Sequence, residues 1–183
     1  MLNHERFLKG FAELGKRGLS FDAWLYHPQL GELQALAERF PDTVIILDHL
    51  GGPLGIGPYA GKRDEIFPAW KRDIQALARC ENVVAKLGGL VMPINGFGFH
   101  KRERPPGSDE IVAATGDYYR HMLDCFGAER CMFESNFPVD KQSCSYRVLW
   151  NAFKKLVADA SATEKSALFH DTAAGVYRLS DQR

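Results

Sequence analysis

The hydrophobic positions of this chain form four short apolar runs, each followed by a segment whose apolar residues recur at helical spacing. The runs predict buried strands at residues 19–26, 43–48, 82–87 and 130–135. The helical segments are predicted at residues 3–17, 28–40, 66–79, 109–126, 145–158 and 163–178, and the last follows a capping box of Ser161 and Glu164. Alternating strands and helices indicate βαβ units and a parallel sheet, an α/β fold.

Two of the predicted strands end in polar side chains. Residues 44–47 are all apolar, and Asp48 and His49 follow them before two glycines and a proline. The run at 130–135 likewise leads to Asn136. Because active sites of parallel α/β proteins lie at the carboxyl ends of the strands, both ends predict an active site on one rim of a sheet or barrel.

Length and charge set limits on the class of protein. The chain has 183 residues, 45% of them hydrophobic, which suits one domain over residues 1–183. Its 23 basic and 23 acidic residues balance, so no overall field favours nucleic acid or an anionic membrane. No apolar run approaches the ~18 residues of a membrane-spanning helix, and no secretory leader is evident. We expect a cytoplasmic protein with reduced cysteines and a small-molecule substrate.

The longest irregular segment, Gly88 to Gly107, follows the third predicted strand. A loop of this length in a compact domain is usually functional or mobile. It lies on the predicted rim, so we expect it to cover a substrate. His100 in this loop stands beside Lys101 and Arg102, and such a cationic segment would suit a substrate that carries a carboxylate.

Four motifs together resemble a known family: FDAWLYHPQL, PDTVIILDHLGGP, NVVAKLGGL and ERCMFESNFPVDK, in this order. They resemble the amidohydrolase-related (amidohydrolase family 2) metal-dependent hydrolases, in their lactonase-like branch. The resemblance implies a (β/α)8 TIM-barrel type of fold, of which this chain supplies about the last four β/α units, a half barrel. It also implies hydrolysis of a lactone or of a similar C–O or C–N bond in a small carboxylated substrate. The alternatives are a decarboxylase of the same family and a catalytically incomplete half barrel that acts by association.

The resemblance assigns roles to two histidines. His49 matches the histidine of the sixth barrel strand, which binds metal or polarises the substrate. Strand alternation places it on one face with Ile45 and Leu47, although a core histidine bonded to a carbonyl is the alternative. His27 matches a fifth-strand histidine, which implies substrate or metal binding, or it is only the residue that begins a helix at Pro28.

Asn136 departs from the family, whose eighth strand commonly reads Gly-Ser-Asp-Trp-Pro with the aspartate as general base and metal ligand. An amide cannot take a proton at neutral pH and is a poorer metal ligand than a carboxylate. Glu134 or Asp140 could compensate as the catalytic carboxylate. The interpretation favoured for Glu134 is instead a buried ion pair with Lys86, which is otherwise a candidate for substrate binding.

The resemblance also defines what the sequence lacks. A complete barrel usually needs about 250 residues, and no His-x-His metal motif occurs here. We therefore expect weak or no binding of a zinc-like divalent metal, for which His27 and His49 are the candidate ligands. The chain is either a fragment or a half barrel. Its open sheet would expose inward side chains, among them Leu25, Leu47, Val84 and Met132, and so predicts a homo-oligomer.

Overall fold

The computed structural model describes residues 1–179 and contains one sheet of four parallel strands in chain order. The strands are β1 (Phe21–Ala23), β2 (Ile45–Leu47), β3 (Val83–Leu87) and β4 (Cys131–Phe133). The helices are α1 (Glu5–Lys16), α2 (Leu30–Arg39), α3 (Arg63–Leu77), α4 (Ser108–Phe126), α5 (Tyr146–Leu156), α6 (Ala162–Ser166) and α7 (Thr172–Val176). The predicted order of strands and helices is therefore confirmed, with shorter strands than the apolar runs suggested.

The sheet has one face covered by helices and one inner face. Ile45 of β2 is level with Phe21 of β1 and Val83 of β3, and all three pack in the main core beneath the helices. The inner face carries a small cluster of Ile46, Val84 and Met132. Because strand side chains alternate, Leu47 belongs to the helix side.

The loop after β2 is anchored to the helix layer. The indole N–H of Trp70, a fully buried residue of α3, donates to the backbone oxygen of Leu50, 2.8 Å away. Asn82 similarly ties the start of β2 to the end of α2, because its amide donates to the backbone oxygens of Ala37, Phe40 and Thr43. The Trp70 bond thus fixes the loop at the carboxyl end of β2, where His49 follows, and the Asn82 bonds fix the other end.

The C-terminal segment crosses to the inner face of the sheet. The capping box is confirmed: Ser161 accepts from the backbone N–H of Glu164, whose carboxylate accepts from the N–H of Ser161. The predicted single helix at 163–178 is instead α6, a π-helical turn (Ala167–Asp171) and α7. Ala173 and Val176 then pack against the inner cluster.

The expectation of an open inner face is therefore wrong for the four side chains named above. Leu25 and Leu47 lie in the main core, while Val84 and Met132 are covered in part by α7; all four are buried. The four cysteines have free thiols, as expected, and burial raises the pKa of Cys131 to about 12. Over residues 1–179, no helix combines the length and the apolar character needed to span a bilayer.

Candidate active site

Residues that follow the carboxyl ends of all four strands meet at one rim. Trp24 follows β1, His49 follows β2 after one residue, Gly89 follows β3, and Glu134 follows β4 directly. Pairing continues past β4, since the N–H of Glu134 donates to the backbone oxygen of Leu87 at 3.3 Å. The predicted location of the site is thus the place where the structure gathers its chemically active side chains.

The backbone at His49 departs from the strand. His49 has a φ of 53° and Leu50 a φ of 55°, both in the left-handed region that non-glycine residues seldom adopt. The interpretation that His49 shares a face with Ile45 and Leu47 is wrong, because those residues face the helices while His49 turns to the rim. Such backbone conformations concentrate at functional sites.

The imidazole of His49 is held on two sides. Its Nδ1 pairs with Oε1 of Glu134, and the two side chains are 15% and 20% exposed. Trp24 packs on the ring with centroids 4.4 Å apart and planes at 79°. A Cβ atom at Gly89 would lie 2.7 Å from Nδ1 of His49, so only glycine permits this approach. The pairing at Nδ1 leaves Nε2 for other chemistry.

Lys86 does not pair with Glu134, so the favoured interpretation of that glutamate is wrong. Lys86 pairs instead with Asp22 and, at 3.1 Å, with Asp48. Extending the pairing of Leu47 with Ala85 by one residue brings Asp48 beside Lys86, whereas Glu134 lies two positions beyond the strand partner of Lys86 in β4. The hydroxyl of Tyr177 donates to Asp22 at 2.7 Å and completes an inner-face network.

The charged groups of this network shift each other's pKa values. Burial acts to lower the pKa of Lys86, but hydrogen bonds to Asp22 and Tyr177 and the charge of Asp48 hold that pKa above its ordinary value. Burial raises the pKa of Asp48 even though Lys86 opposes the shift. Lys86 is therefore a cation whose charge is already met by two acids.

Asn136 and Asp140 form a second pair behind the rim. Asn136, with a φ of 50°, donates its side-chain amide to Oδ1 of Asp140 at 3.0 Å. Asp140 is fully buried, and its Oδ2 has no hydrogen-bond partner within residues 1–179. Burial raises the pKa of Asp140 to about 7, against the opposing effects of Asn136 and His49. The hydroxyl of Tyr119 is buried nearby and also lacks a partner among these residues.

The other two candidate histidines have contacts of their own. His27 is buried, accepts from the backbone N–H of Leu54 at 3.1 Å and packs on the ring of Tyr59. Burial lowers its pKa. His100 lies in the loop after β3, and its Nδ1 is buried without a partner in the described part of the chain. Neither has a hydrogen bond or ring contact with His49 or Glu134 among the residues described.

The donor set of the described chain does not fit a metal ion. Within residues 1–179, no three side chains of His, Cys, Asp or Glu are grouped so that they could hold one. The suggested ligands His27 and His49 do not contact each other among the described residues, since His27 accepts from Leu54 and packs on Tyr59 while His49 pairs with Glu134. Zinc sites in proteins take three or four such ligands, which the described residues do not bring together.

Trp24 was not among the residues predicted for the site. The pattern held a usable signal, because Trp24 lies two positions beyond Asp22, which faces the inner side. The pairing of His49 with Glu134 had no such signal, since it depends on a left-handed turn at a non-glycine residue.

The sequence model of the family described as Amidohydrolase matches residues 2–179. An uncharacterized protein of Sinorhizobium fredii is 42% identical over 171 residues, which cover 93% of this chain and 51% of that protein. An L-fucono-1,5-lactonase of Burkholderia multivorans is 29% identical over 174 residues, covering 94% of this chain and 56% of the lactonase. The chain spans about half the length of these curated relatives.

Solved structures give the same assignment. A Burkholderia multivorans amidohydrolase crystallised with bound zinc superposes with a TM-score of 0.85 at 28% identity, covering 98% of this chain and 59% of that chain. Amidohydrolase 2 from Bifidobacterium longum subsp. infantis, at 20% identity, matches with a TM-score of 0.68 over 98% of this chain and 57% of its own, which shows the fold alone. The open four-stranded sheet is thus part of a TIM-barrel type of fold.

Proposed function

The chain belongs to the amidohydrolase family, and from this membership we propose that the protein is a hydrolase that opens the ring ester of a lactone. The observation that carries the proposal is the pairing of His49 with Glu134 at the carboxyl rim of the sheet. The similarity to an L-fucono-1,5-lactonase supports a sugar lactone as the substrate. Decarboxylation, the other chemistry that the family resemblance suggested, stays a prediction.

His49 is the general base of the proposed reaction. Glu134 accepts the proton on Nδ1, which fixes the tautomer that leaves Nε2 free to take a proton. A water molecule attacks the lactone carbonyl carbon as His49 removes its proton, and a new C–O bond forms. The ring C–O bond then breaks, and the imidazolium returns the proton to the departing ring oxygen. The product is the open hydroxy acid.

Asn136 acts as a hydrogen-bond donor and not as a base. Asp140 accepts one amide hydrogen of Asn136 and leaves the second for the carbonyl oxygen of the substrate. Negative charge develops on that oxygen in the transition state, where a fixed donor is most effective. Asp140 is fully buried, so we assign it as a positioning residue that orients Asn136.

The test is a hydrolysis assay with L-fucono-1,5-lactone. His49→Ala should lower kcat by about 10²–10⁴, the usual contribution of a general base, with an unchanged circular dichroism spectrum. Glu134→Gln should lower kcat less, because the base remains but loses its orienting charge. His170→Ala is the matched control, since His170 is an exposed histidine paired with Asp171.

Two results would contradict the proposal. One is a folded His49→Ala variant with the kcat of the wild type. The other is a wild-type protein that hydrolyses no lactone although its circular dichroism spectrum shows it to be folded.

A further inference from the structure

Trp24 is a large aromatic side chain that the fold leaves open at the rim. Its side chain belongs to neither hydrophobic cluster of the described residues, and it is 47% exposed. Trp70, by contrast, is fully buried and uses its indole N–H within the core. A tryptophan can bury 150–250 Å² of surface, so half-exposure beside reactive groups calls for a reason other than packing.

The indole lies next to the base of the proposed reaction. Its centroid is 4.4 Å from that of His49, and Tyr26 continues the aromatic surface with its centroid 5.6 Å away. His49 is held from the other side by Glu134. The indole of Trp24 therefore lines one side of the approach to His49.

The charges around this surface disfavour an anionic ligand. Glu134 stands beside His49, and Asp22 and Asp48 stand below. Lys86 is the cation of this cluster in the described chain, and two acids already neutralise it. A substrate carboxylate would find like charges here, whereas hydroxyl groups would find acceptors.

We propose that Trp24 is the specificity-determining residue of the site, and that its indole stacks on the C–H face of a neutral, hydroxylated lactone ring. The inference rests on the proposed function and names its substrate class. Aromatic stacking supplies binding and orientation, while the acids accept hydrogen bonds from ring hydroxyls. The earlier expectation of a carboxylated substrate is replaced by this one.

The experiment measures binding separately from turnover. The probe is the 1,5-lactam of L-fuconate, a neutral ring that resists hydrolysis, titrated calorimetrically into wild type, Trp24→Ala and Trp24→Phe. Loss of the stacking contact in Trp24→Ala should raise Kd roughly tenfold, and Trp24→Phe should stay within about threefold of wild type. The anionic probe 2-pyrone-4,6-dicarboxylate should bind more weakly than the lactam.

Leu19→Ala is the matched control. Leu19 is 49% exposed and precedes β1, at the opposite end of the strand that leads to Trp24. The Kd of this variant should equal that of wild type. The same variants assayed with L-fucono-1,5-lactone should show Trp24→Ala raising KM far more than it lowers kcat.

The outcomes separate the two proposals. Lactam binding that depends on Trp24, without turnover of any lactone, supports the role of Trp24 and contradicts the hydrolase. Lactone turnover with equal lactam affinity in wild type and Trp24→Ala overturns the role of Trp24 alone. Tighter binding of the dicarboxylate, or no lactam binding by wild type, also overturns it.

A fluorescence measurement covers the case in which Trp24→Ala does not fold. Lactam should change the tryptophan emission of wild type, and this change should vanish in Trp24→Phe, which keeps Trp70 and Trp150. A ligand-induced change that persists in Trp24→Phe overturns the inference.

Discussion

Asn136 donates its side-chain amide to Oδ1 of Asp140, and the second oxygen of that buried carboxyl has no hydrogen-bond partner in residues 1–179. A buried carboxylate with one unsatisfied oxygen favours its protonated form. The groups that face it are His49, Glu134, Tyr119 and Cys144; the charge of Glu134 raises the pKa of Asp140, whereas that of His49 lowers it. This pair links the geometry of the rim to pH.

We predict that Asp140 makes stability depend on pH. Its pKa of about 7 in the folded protein exceeds the ordinary 3.8, so the folded state binds the proton more tightly than the unfolded state. The resulting stabilisation is complete below about pH 4 and is lost as pH rises through about 7. The free energy of unfolding of Asp140→Asn minus that of wild type should therefore increase over this range.

The measurement is urea unfolding of both proteins at several pH values. Asp159→Asn, a substitution of an exposed acid, is the control. Its free energy of unfolding minus that of wild type should not vary with pH. A flat difference for Asp140→Asn as well would mean that Asp140 ionises normally in the folded protein.

Most of the fold could be predicted because its signals are local. Four largely apolar runs marked the strands, as expected for strands that are mostly buried, and the charged residues Asp22 and Lys86 interrupt only β1 and β3. β2 ends at Leu47, one residue before the predicted end, and the left-handed backbone that follows at His49 has no signature in composition. The π-helical turn at Ala167–Asp171, inside the last predicted helix, likewise has no signature in composition.

The site could be predicted only in part. Its location and the residues His49, Glu134, Asn136 and Asp140 followed from strand ends and motifs. Their pairing did not, because the choice between His49 and Lys86 as the partner of Glu134 depends on register across three strands. Register places Asp48 beside Lys86, and this is a nonlocal property.

Lys86→Met should destabilise the protein by on the order of 2 kcal/mol, because it leaves Asp22 and Asp48 without their cation. The cost stays below that of a fully buried pair because Asp22 is 38% exposed. Lys155→Met, which removes the surface pair with Asp109, is the control and should cost about 0–1 kcal/mol. Equal effects of the two substitutions on urea unfolding would show that the inner-face network stabilises the protein no more than a surface ion pair does.

Zinc should have little effect on this chain. No three suitable side chains are grouped within residues 1–179, so a chelator should leave the melting temperature unchanged and added zinc should not raise it. Differential scanning calorimetry with EDTA and then with zinc checks this. Stoichiometric zinc that survives purification, with a fall in melting temperature after its removal, would contradict the prediction.

The last prediction concerns assembly and follows from the two edges of the sheet. β1 and β4 are each paired on one side only. The backbone N–H of Phe21 donates to the backbone oxygen of Val44, and the backbone oxygen of Ala23 accepts from the N–H of Asp48. Asp22 lies between these two residues, so its peptide groups point to the free edge of β1. By the same alternation the peptide groups of Glu134 point to β3, and those of Phe133 point to the free edge of β4. Free edges promote association, and we expect a homodimer at micromolar concentration.

Sedimentation velocity and amide exchange together test this assembly. In a dimer joined through strand edges, the amides of Asp22 and Phe133 should exchange as slowly as that of Ile45, which is bonded inside the sheet to Asn82. Because α7 already covers part of the inner face, the edges rather than that face should carry the contact. A stable monomer whose edge amides exchange rapidly while Ile45 stays protected would show that four strands, closed on one side by α7, suffice alone.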